Sequence, residues 1–160
     1  MNRIYLCLAH MSGEEQKYIQ EAFDTNWVVP LGPNVNGFES DLQQFISQDR
    51  EVVALSSGTA AIHLALIACG VEAGDEVCVQ SFTFCASSNP IKYLGAKPIL
   101  IDSEKDTWNM DPTLLEKAII ERKEITGKYP KAIIPVALYG MPYDVERIMA
   151  ISQKYVRLSA

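Results

Sequence analysis

The 160-residue sequence is poor in the residues that build metal sites and disulfides. It has two histidines and four cysteines, and none of the cysteines forms a C-x-x-C pair (Cys7, Cys69, Cys78 and Cys85). A zinc site cannot be assembled from residues at these spacings, so we expect no metal. The cysteines are expected to be reduced and mostly buried thiols of a cytoplasmic protein.

The sequence also lacks a long apolar run and a cluster of basic residues. Its N-terminal apolar stretch is too short for a signal peptide or a membrane span. Lysine and arginine number 14 against 20 acidic residues, which gives a formal charge of -6. No basic stripe is present to neutralise nucleic acid. We therefore expect a cytoplasmic protein with neither a membrane nor nucleic acid as its partner.

Hydrophobic residues make up 48% of the chain, enough for one domain with a core. Apolar runs predict strands over 52–55, 76–80, 98–101 and 131–138. Apolar residues at helical spacing predict helices over about 13–24, 35–46, 60–70, 84–94, 112–127 and 144–155. Because each strand is separated from the next by a crossover long enough for a helix, the predicted fold class is α/β, with a mainly parallel sheet and flanking helices.

Capping residues support several of these boundaries. Ser12 and Glu15 have the spacing of a capping box, and Asp111 is followed by proline, as in an N-cap with proline at the first helical position. Gly70 and Gly127 stand where left-handed residues close helices. The helices that these residues delimit are expected to begin and end there.

The segment Ser56-Ser57-Gly58-Thr59 lies between a predicted strand and a predicted helix. Backbone N–H groups and the positive end of a helix dipole converge on an anion in this geometry. Gly58 would let the backbone approach a phosphate, and the hydroxyls of Ser57 and Thr59 would donate to it. The spacing matches neither a Walker loop nor G-x-G-x-x-G, and the serines could simply cap a helix. Both interpretations stay open.

Ser81–Phe84 follows the second predicted strand, so its side chains are expected at the carboxyl edge of the sheet, where open α/β sheets bind ligands. One aromatic ring here could stack on a planar ligand. Spacing alone favours a buried core role for both Phe82 and Phe84. Trp27 and Trp108 are likewise expected to be packing residues.

A series of motifs runs in order along the chain: His10-Met11-Ser12-Gly13, Asn26-Trp27, Leu31-Gly32-Pro33, Ser57-Gly58-Thr59-Ala60-Ala61, Ser81-Phe82-Thr83-Phe84, Thr107-Trp108-Asn109-Met110 and Leu138-Tyr139-Gly140. Over residues 3–155 the sequence resembles the N-terminal part of the DegT/DnrJ/StrS family of pyridoxal-phosphate-dependent sugar-nucleotide aminotransferases, which have fold type I. The resemblance implies transfer of an amino group from glutamate to a keto-sugar nucleotide, for polysaccharide or glycan biosynthesis.

The resemblance also implies roles for individual residues. Ser57, Gly58 and Thr59 match the residues that bind the phosphate of pyridoxal 5'-phosphate, and Phe84 matches the aromatic residue that stacks on its pyridine ring. Trp27 lies in a segment that resembles the one lining the substrate site at the subunit interface. The partners implied are a nucleotide sugar, glutamate and a second copy in a homodimer.

Members of this family are more than twice as long as this chain. Their Schiff-base lysine and the aspartate that pairs with the pyridine nitrogen match no position here, so no catalytic residue is assigned. Residues 1–155 are expected to be an incomplete N-terminal portion of the large domain, with 156–160 a non-matching tail. An incomplete sheet would expose a strand edge, so we expect the isolated chain to aggregate. The alternative functions are an inactive remnant and a phosphate-binding module.

Overall fold

A computed structural model of the chain describes residues 9–47 and 49–156. The chain divides into two compact units, Met1–Ala54 and Leu55–Ala160. The first unit contains helices α1 (Glu15–Asp24) and α2 (Pro33–Ile46). In the described part of the second unit there are three strands, four α-helices and two short 3-10 turns. None of the described helices is long and apolar enough to cross a membrane.

Helix α1 begins at Glu15, two residues after the predicted start. The Glu15 carboxylate accepts hydrogen bonds from the backbone N–H groups of Ser12 and Gly13, at 2.6 and 2.9 Å. The Ser12 N–H is the main reason why the pKa of Glu15 falls to about 2. The Ser12 hydroxyl accepts from the Glu14 N–H at 3.2 Å. The predicted capping box is therefore half formed.

Trp27 and Trp108 are not interior packing residues, contrary to the prediction. Their side chains are 48% and 60% exposed. Trp27 instead lies against the backbone at Gly32, where a Cβ atom would be 3.0 Å from Cε3 of the indole ring. Gly32 also has a φ of +133°, which disfavours any side chain. The glycine thus lets the tryptophan approach the chain closely, while about half of the tryptophan stays exposed.

The strand predicted over 52–55 is wrong. This segment has no regular secondary structure, and Val53 and Leu55 are exposed. The backbone N–H of Ala54 donates to the Glu39 carboxylate at 2.7 Å. The Glu39 carboxylate thus accepts the hydrogen bond from an N–H group that, in a strand, would pair with the neighbouring strand.

The second unit is built on a parallel sheet of β1 (Glu76–Gln80), β2 (Lys97–Ile101) and β3 (Ala132–Ile134), in the order β2-β1-β3. Cys78 is in register with Ile99 on one side and Ile133 on the other. Every residue of β1 is buried, because helices cover both faces of a central parallel strand. The predicted α/β class with flanking helices is confirmed.

Four helices accompany these strands: α3 (Gly58–Ala68), α4 (Asn89–Tyr93), α5 (Pro112–Thr126) and α6 (Val145–Tyr155). Side chains along β1 alternate between two cores, as the two-residue period of a strand requires. Val77 and Val79 belong to a cluster with residues of α3 and α4. Cys78 belongs to a second cluster with residues of α5 and α6.

The predicted capping residues of this unit are confirmed. Asp111 is the N-cap of α5, and its Oδ1 accepts from the N–H groups of Thr113 and Leu114, at 2.7 and 3.3 Å. Gly127 ends α5 with a φ of +75°. Gly70 follows α3 with a φ of +69°. Residues with a Cβ rarely adopt such angles, which is why glycine ends both helices.

Two predicted elements are interrupted by proline. The helix over 84–94 is instead a 3-10 turn, Cys85–Ser87, followed by α4. Pro90 has no N–H to donate to the Ala86 carbonyl, so one continuous helix is disfavoured. The strand over 131–138 shortens to β3, because Pro135 cannot donate to a ladder.

The described cysteines are only partly as expected. Cys69, Cys78 and Cys85 are free thiols, but only Cys78 is buried, and Cys85 is exposed. Burial, together with the nearby Glu76 carboxylate, raises the pKa of Cys78 to about 12, so this thiol is held in its unreactive neutral form. Cys7 and tail residues 157–160 lie outside the described residues.

We predict that Asp111→Ala lowers the free energy of unfolding by about 1 kcal/mol, because two N–H groups of the first turn of α5 lose their acceptor. Urea denaturation followed by circular dichroism measures the change. Asp106→Ala is the matched control, since Asp106 is exposed and its carboxylate accepts no hydrogen bond from the described residues. Equal losses in the two variants would contradict the capping role.

Candidate functional site

The N-terminus of α3 presents backbone donors that the described protein does not use. The Ser57 hydroxyl accepts from the Ala60 N–H at 3.2 Å, and the Ser57 carbonyl accepts from the Ala61 N–H at 3.0 Å. Ser57 therefore caps the helix, which is one of the two interpretations that the sequence left open. The N–H groups of Gly58 and Thr59 have no acceptor in the described part of the chain. These two donors remain available to an anion.

Open space surrounds this helix end. A Cβ atom added at Gly58 would meet no atom within 4 Å, and Gly58 does not have a positive φ. Neither backbone strain nor protein packing therefore requires glycine at this position. The absence of a side chain leaves room beside two free N–H donors, and this arrangement fits a phosphate group.

Phe84 is not a core residue, contrary to what spacing alone favoured. It lies beyond the carboxyl end of β1, and its side chain is 84% exposed. A cleft of about 410 Å³ is lined by Phe82–Phe84 and by residues 136–140, which follow β3. Helix α3 packs against the 3-10 turn Cys85–Ser87 that follows Phe84. The helix with the free N–H donors and the exposed phenylalanine thus belong to neighbouring elements of one unit.

Gln80 is a residue of this region that sequence reasoning missed. Its side chain is 1% exposed, at the last position of β1. The Oε1 atom accepts from the N–H groups of Met110 and Val136, at 3.0 and 3.3 Å, and Nε2 donates to the Phe82 carbonyl at 3.0 Å. One buried amide thus connects the segments that follow all three strands. The missed signal is an amide residue at the end of an otherwise apolar strand.

Asn109 is a second buried amide that sequence reasoning missed. It is 1% exposed and lies in the connection between β2 and α5. Its Oδ1 accepts from the Leu138 N–H at 2.9 Å, and Nδ2 donates to the Met141 carbonyl at 2.9 Å. Leu138 is the first residue of the 3-10 turn Leu138–Gly140, and Met141 follows its last residue. This turn lines the cleft beside Phe84.

Two aromatic residues near Asn109 have left-handed backbones. Trp108 has a φ of +63° and Tyr139 a φ of +51°, and both side chains are exposed. The Trp108 ring meets the Phe82 ring edge to face, with 6.2 Å between the ring centroids. Such conformations cost residues with a Cβ on the order of 1–3 kcal/mol each and persist only where the surroundings hold them.

A second cleft, of about 470 Å³, lies near the start of α5, and its lining includes four acidic residues and one arginine (Glu104, Asp106, Asp111, Asp144 and Arg147). Thr107 donates to the Glu104 carboxylate through its N–H and its hydroxyl, and this hydroxyl bond is the main reason why the pKa of Glu104 is lowered. The carboxylates disfavour a phosphate here. Phosphate binding is therefore better supported at the start of α3.

The predicted site residues fall into both units. Ser57, Gly58, Thr59 and Phe84 belong to the second unit, whereas Trp27 belongs to the first. The role of Trp27 at a substrate site or subunit interface stays a prediction. No lysine is among the residues that line the Phe84 cleft, within the part of the chain that the structure describes.

A parallel α/β unit with a free helix N-terminus and an exposed aromatic residue near the carboxyl edge of its sheet has the features of a site for a planar, phosphorylated ligand. The family model for the DegT/DnrJ/EryC1/StrS aminotransferase family matches residues 9–156. The chain belongs to this family, as its sequence motifs predicted.

Known relatives support this membership. The chain is 52% identical over 153 residues to EpsN of Bacillus subtilis, assigned as a pyridoxal phosphate-dependent aminotransferase, and 36% identical over 153 residues to the GDP-perosamine synthase of Caulobacter vibrioides. Each match covers 96% of this chain and 39% of the relative. The chain thus spans about two fifths of the length of these curated relatives.

A solved structure also supports membership of this family. Spr1654 of Streptococcus pneumoniae, assigned as a sugar aminotransferase, matches in its PMP-form with a TM-score of 0.81 and 31% identity. The match covers 99% of this chain and 38% of that one. The same protein is known in a PLP-form. This family therefore includes folds like this one that bind pyridoxal phosphate and pyridoxamine phosphate.

We predict that Gln80→Leu lowers the free energy of unfolding by about 1–3 kcal/mol, because the N–H groups of Met110 and Val136 lose their acceptor. Chemical denaturation measures the loss. Gln153→Leu, at an exposed position of α6, is the matched control and is expected to change stability by less than about 0.5 kcal/mol. A Gln80 variant as stable as the control would contradict the bridging role.

Proposed function

We propose that this protein is part of a pyridoxal-phosphate-dependent aminotransferase that moves an amino group from glutamate to a keto-sugar nucleotide. The observation that carries the proposal is the pair of N–H donors at Gly58 and Thr59 that no described residue accepts from, in the same unit as the exposed Phe84 and its cleft. One feature suits a phosphate and the other suits a flat ring. Pyridoxal phosphate combines both groups in one molecule.

The phosphate end of the proposed site is the start of α3. The N–H groups of Gly58 and Thr59 would donate to phosphate oxygens, and the Thr59 hydroxyl would add a third donor. Ser57 keeps its capping bond to Ala60 and so holds the first turn in place. The positive end of the helix dipole favours the phosphate charge further.

The ring end of the proposed site is the cleft beside Phe84. An exposed phenylalanine can lie against a pyridine ring, and the neighbouring apolar side chains would exclude water from it. When bound, the cofactor supplies an electron sink for moving an amino group between carbonyl carbons. The residues described here would hold and orient it.

The family supports the nucleotide-sugar substrate, since one relative is a GDP-perosamine synthase.

The homodimer has a separate support in the first unit, where neither α1 nor α2 buries a residue. Large apolar side chains such as Phe23, Leu31 and Phe45 are exposed there, and a second copy would cover them. We propose further that residues 1–155 are the N-terminal portion of the family's large domain.

A phosphate-binding module without transfer activity is the second candidate. The observation that favours it is the absence of lysine among the described residues that line the cleft. A lysine amine is the group that forms a Schiff base with a carbonyl. Without one, these residues account for binding but not for covalent chemistry.

One experiment separates the two candidates. The purified protein is mixed with pyridoxal phosphate, glutamate and a panel of keto-sugar nucleotides, and both absorbance and amino-sugar product are measured. Glutamate-dependent product supports the aminotransferase. Saturable cofactor binding without product supports the module, and a folded protein that binds no cofactor contradicts both.

We predict that the two ends of the site can be weakened separately. Thr59→Ala is expected to reduce affinity for pyridoxamine phosphate by about 1.5–3 kcal/mol, or about 10- to 150-fold, because a hydrogen bond to a charged phosphate is lost. Phe84→Ala is expected to reduce it by about 1 kcal/mol or more while leaving inorganic phosphate binding unchanged. Equilibrium dialysis measures both ligands.

Matched controls exist for both variants. Thr113 occupies the second position of α5, as Thr59 does in α3, and Ile125 of α5 is an exposed apolar residue, at 71% against 84% for Phe84. Thr113→Ala and Ile125→Ala are expected to leave both affinities unchanged. If the control variants weaken binding as much as the site variants, the assignment of Thr59 and Phe84 is wrong.

A further inference from the structure

Asn109 uses every polar group of its buried side chain. Besides Leu138 and Met141, its Nδ2 donates to the Thr107 hydroxyl at 3.1 Å. Both N–H bonds of the amide are therefore used, and its oxygen accepts from Leu138 at 2.9 Å. An amide with three partners and 1% exposure has a fixed orientation.

The main-chain partners of Asn109 lie on either side of a strained turn. Leu138 and Met141 bracket Tyr139, whose φ of +51° is unfavourable for a residue with a Cβ. Tyr139 is 71% exposed, so burial of its ring in the core does not explain this backbone. A strained conformation that presents an exposed ring to a cleft is typical of a binding site.

Asn109 is itself anchored to the sheet. The N–H of the next residue, Met110, donates to Gln80 Oε1 at 3.0 Å, and Gln80 is the last residue of β1. Hydrogen bonds on either side of the Asn109–Met110 peptide bond therefore connect the central strand to the Leu138–Gly140 turn. This connection fixes the turn relative to Phe82–Phe84, which line the same cleft.

We infer that Asn109 is a positioning residue for the ring end of the site: its buried amide holds the Leu138–Gly140 turn, and with it Tyr139, in the place where that turn forms a wall of the Phe84 cleft. Asn109 acts through the turn and does not line this cleft itself. The inference rests on the proposed function, because it takes the cleft to be where the cofactor ring binds.

Binding of pyridoxamine phosphate to the purified protein tests this inference. This ligand carries an amine in place of the aldehyde, so it does not react with surface lysines, and equilibrium dialysis reports noncovalent binding alone. Asn109→Asp keeps the shape and the oxygen that accepts from Leu138, but it loses both N–H donors. We expect about 5- to 10-fold weaker binding of pyridoxamine phosphate and unchanged binding of inorganic phosphate.

A double-mutant cycle with Tyr139→Ala distinguishes positioning from general loss of stability. If Asn109 acts through the turn, Asn109→Asp has little further effect once the Tyr139 ring is removed, so the two losses are not additive. Additive losses would overturn the inference. If Asn109→Asp shows no cooperative melt, Asn109→Ser, which is smaller and neutral, takes its place in the same cycle.

Arg122→Met is the matched control for stability. Arg122 forms a bidentate ion pair with Glu76 at the other end of β1, away from the cleft. It is expected to lower the melting temperature while leaving pyridoxamine phosphate affinity unchanged. If the wild-type protein and the Asn109 variant bind pyridoxamine phosphate equally well, the inference is overturned and the proposed function is not. Folded wild-type protein that fails to bind overturns the proposed function and the inference together.

Discussion

The end of the central strand is the constraint on which the second unit depends. Because β1 is paired on both sides in a parallel sheet, the segments that follow all three strands emerge at one edge, and their N–H groups need acceptors. Gln80 accepts from Met110, after β2, and from Val136, after β3, and it donates to the Phe82 carbonyl, after β1. The arrangement around the cleft therefore depends on one buried amide.

The two ends of β1 are stabilised by different chemistry. At the amino end, the Glu76 carboxylate accepts from Nε and a terminal nitrogen of Arg122, at 2.8 and 2.6 Å, and this pair raises the pKa of Arg122. At the carboxyl end, Gln80 and Asn109 are neutral. A carboxylate there would repel the anion that the positive end of the α3 dipole attracts, and this end is equivalent to only about half a charge. Neutral amides stabilise this end without that repulsion.

Features set by local chemistry could be predicted from the sequence. Asp111 before proline, Gly70 and Gly127 act within one turn of a helix, so the ends of α3 and α5 followed from the sequence. The apolar run at 52–55 looked like a strand, but pairing depends on distant partners, and Glu39 takes the Ala54 N–H. Most partners of the buried amides lie about 30 or more positions away, so only the fold reveals these contacts.

The two ends of the proposed site also differ in how far the sequence alone predicts them. The phosphate end consists of backbone N–H groups whose positions follow from one capped helix, so a four-residue motif suffices to indicate it. The ring end consists of loops after different strands, and their relative positions depend on Gln80 and Asn109. It follows that changes at these two buried positions can reshape the ring end while Ser57–Thr59 stays the same. A local motif can therefore indicate where the phosphate binds, but how the ring is held is decided by the tertiary structure.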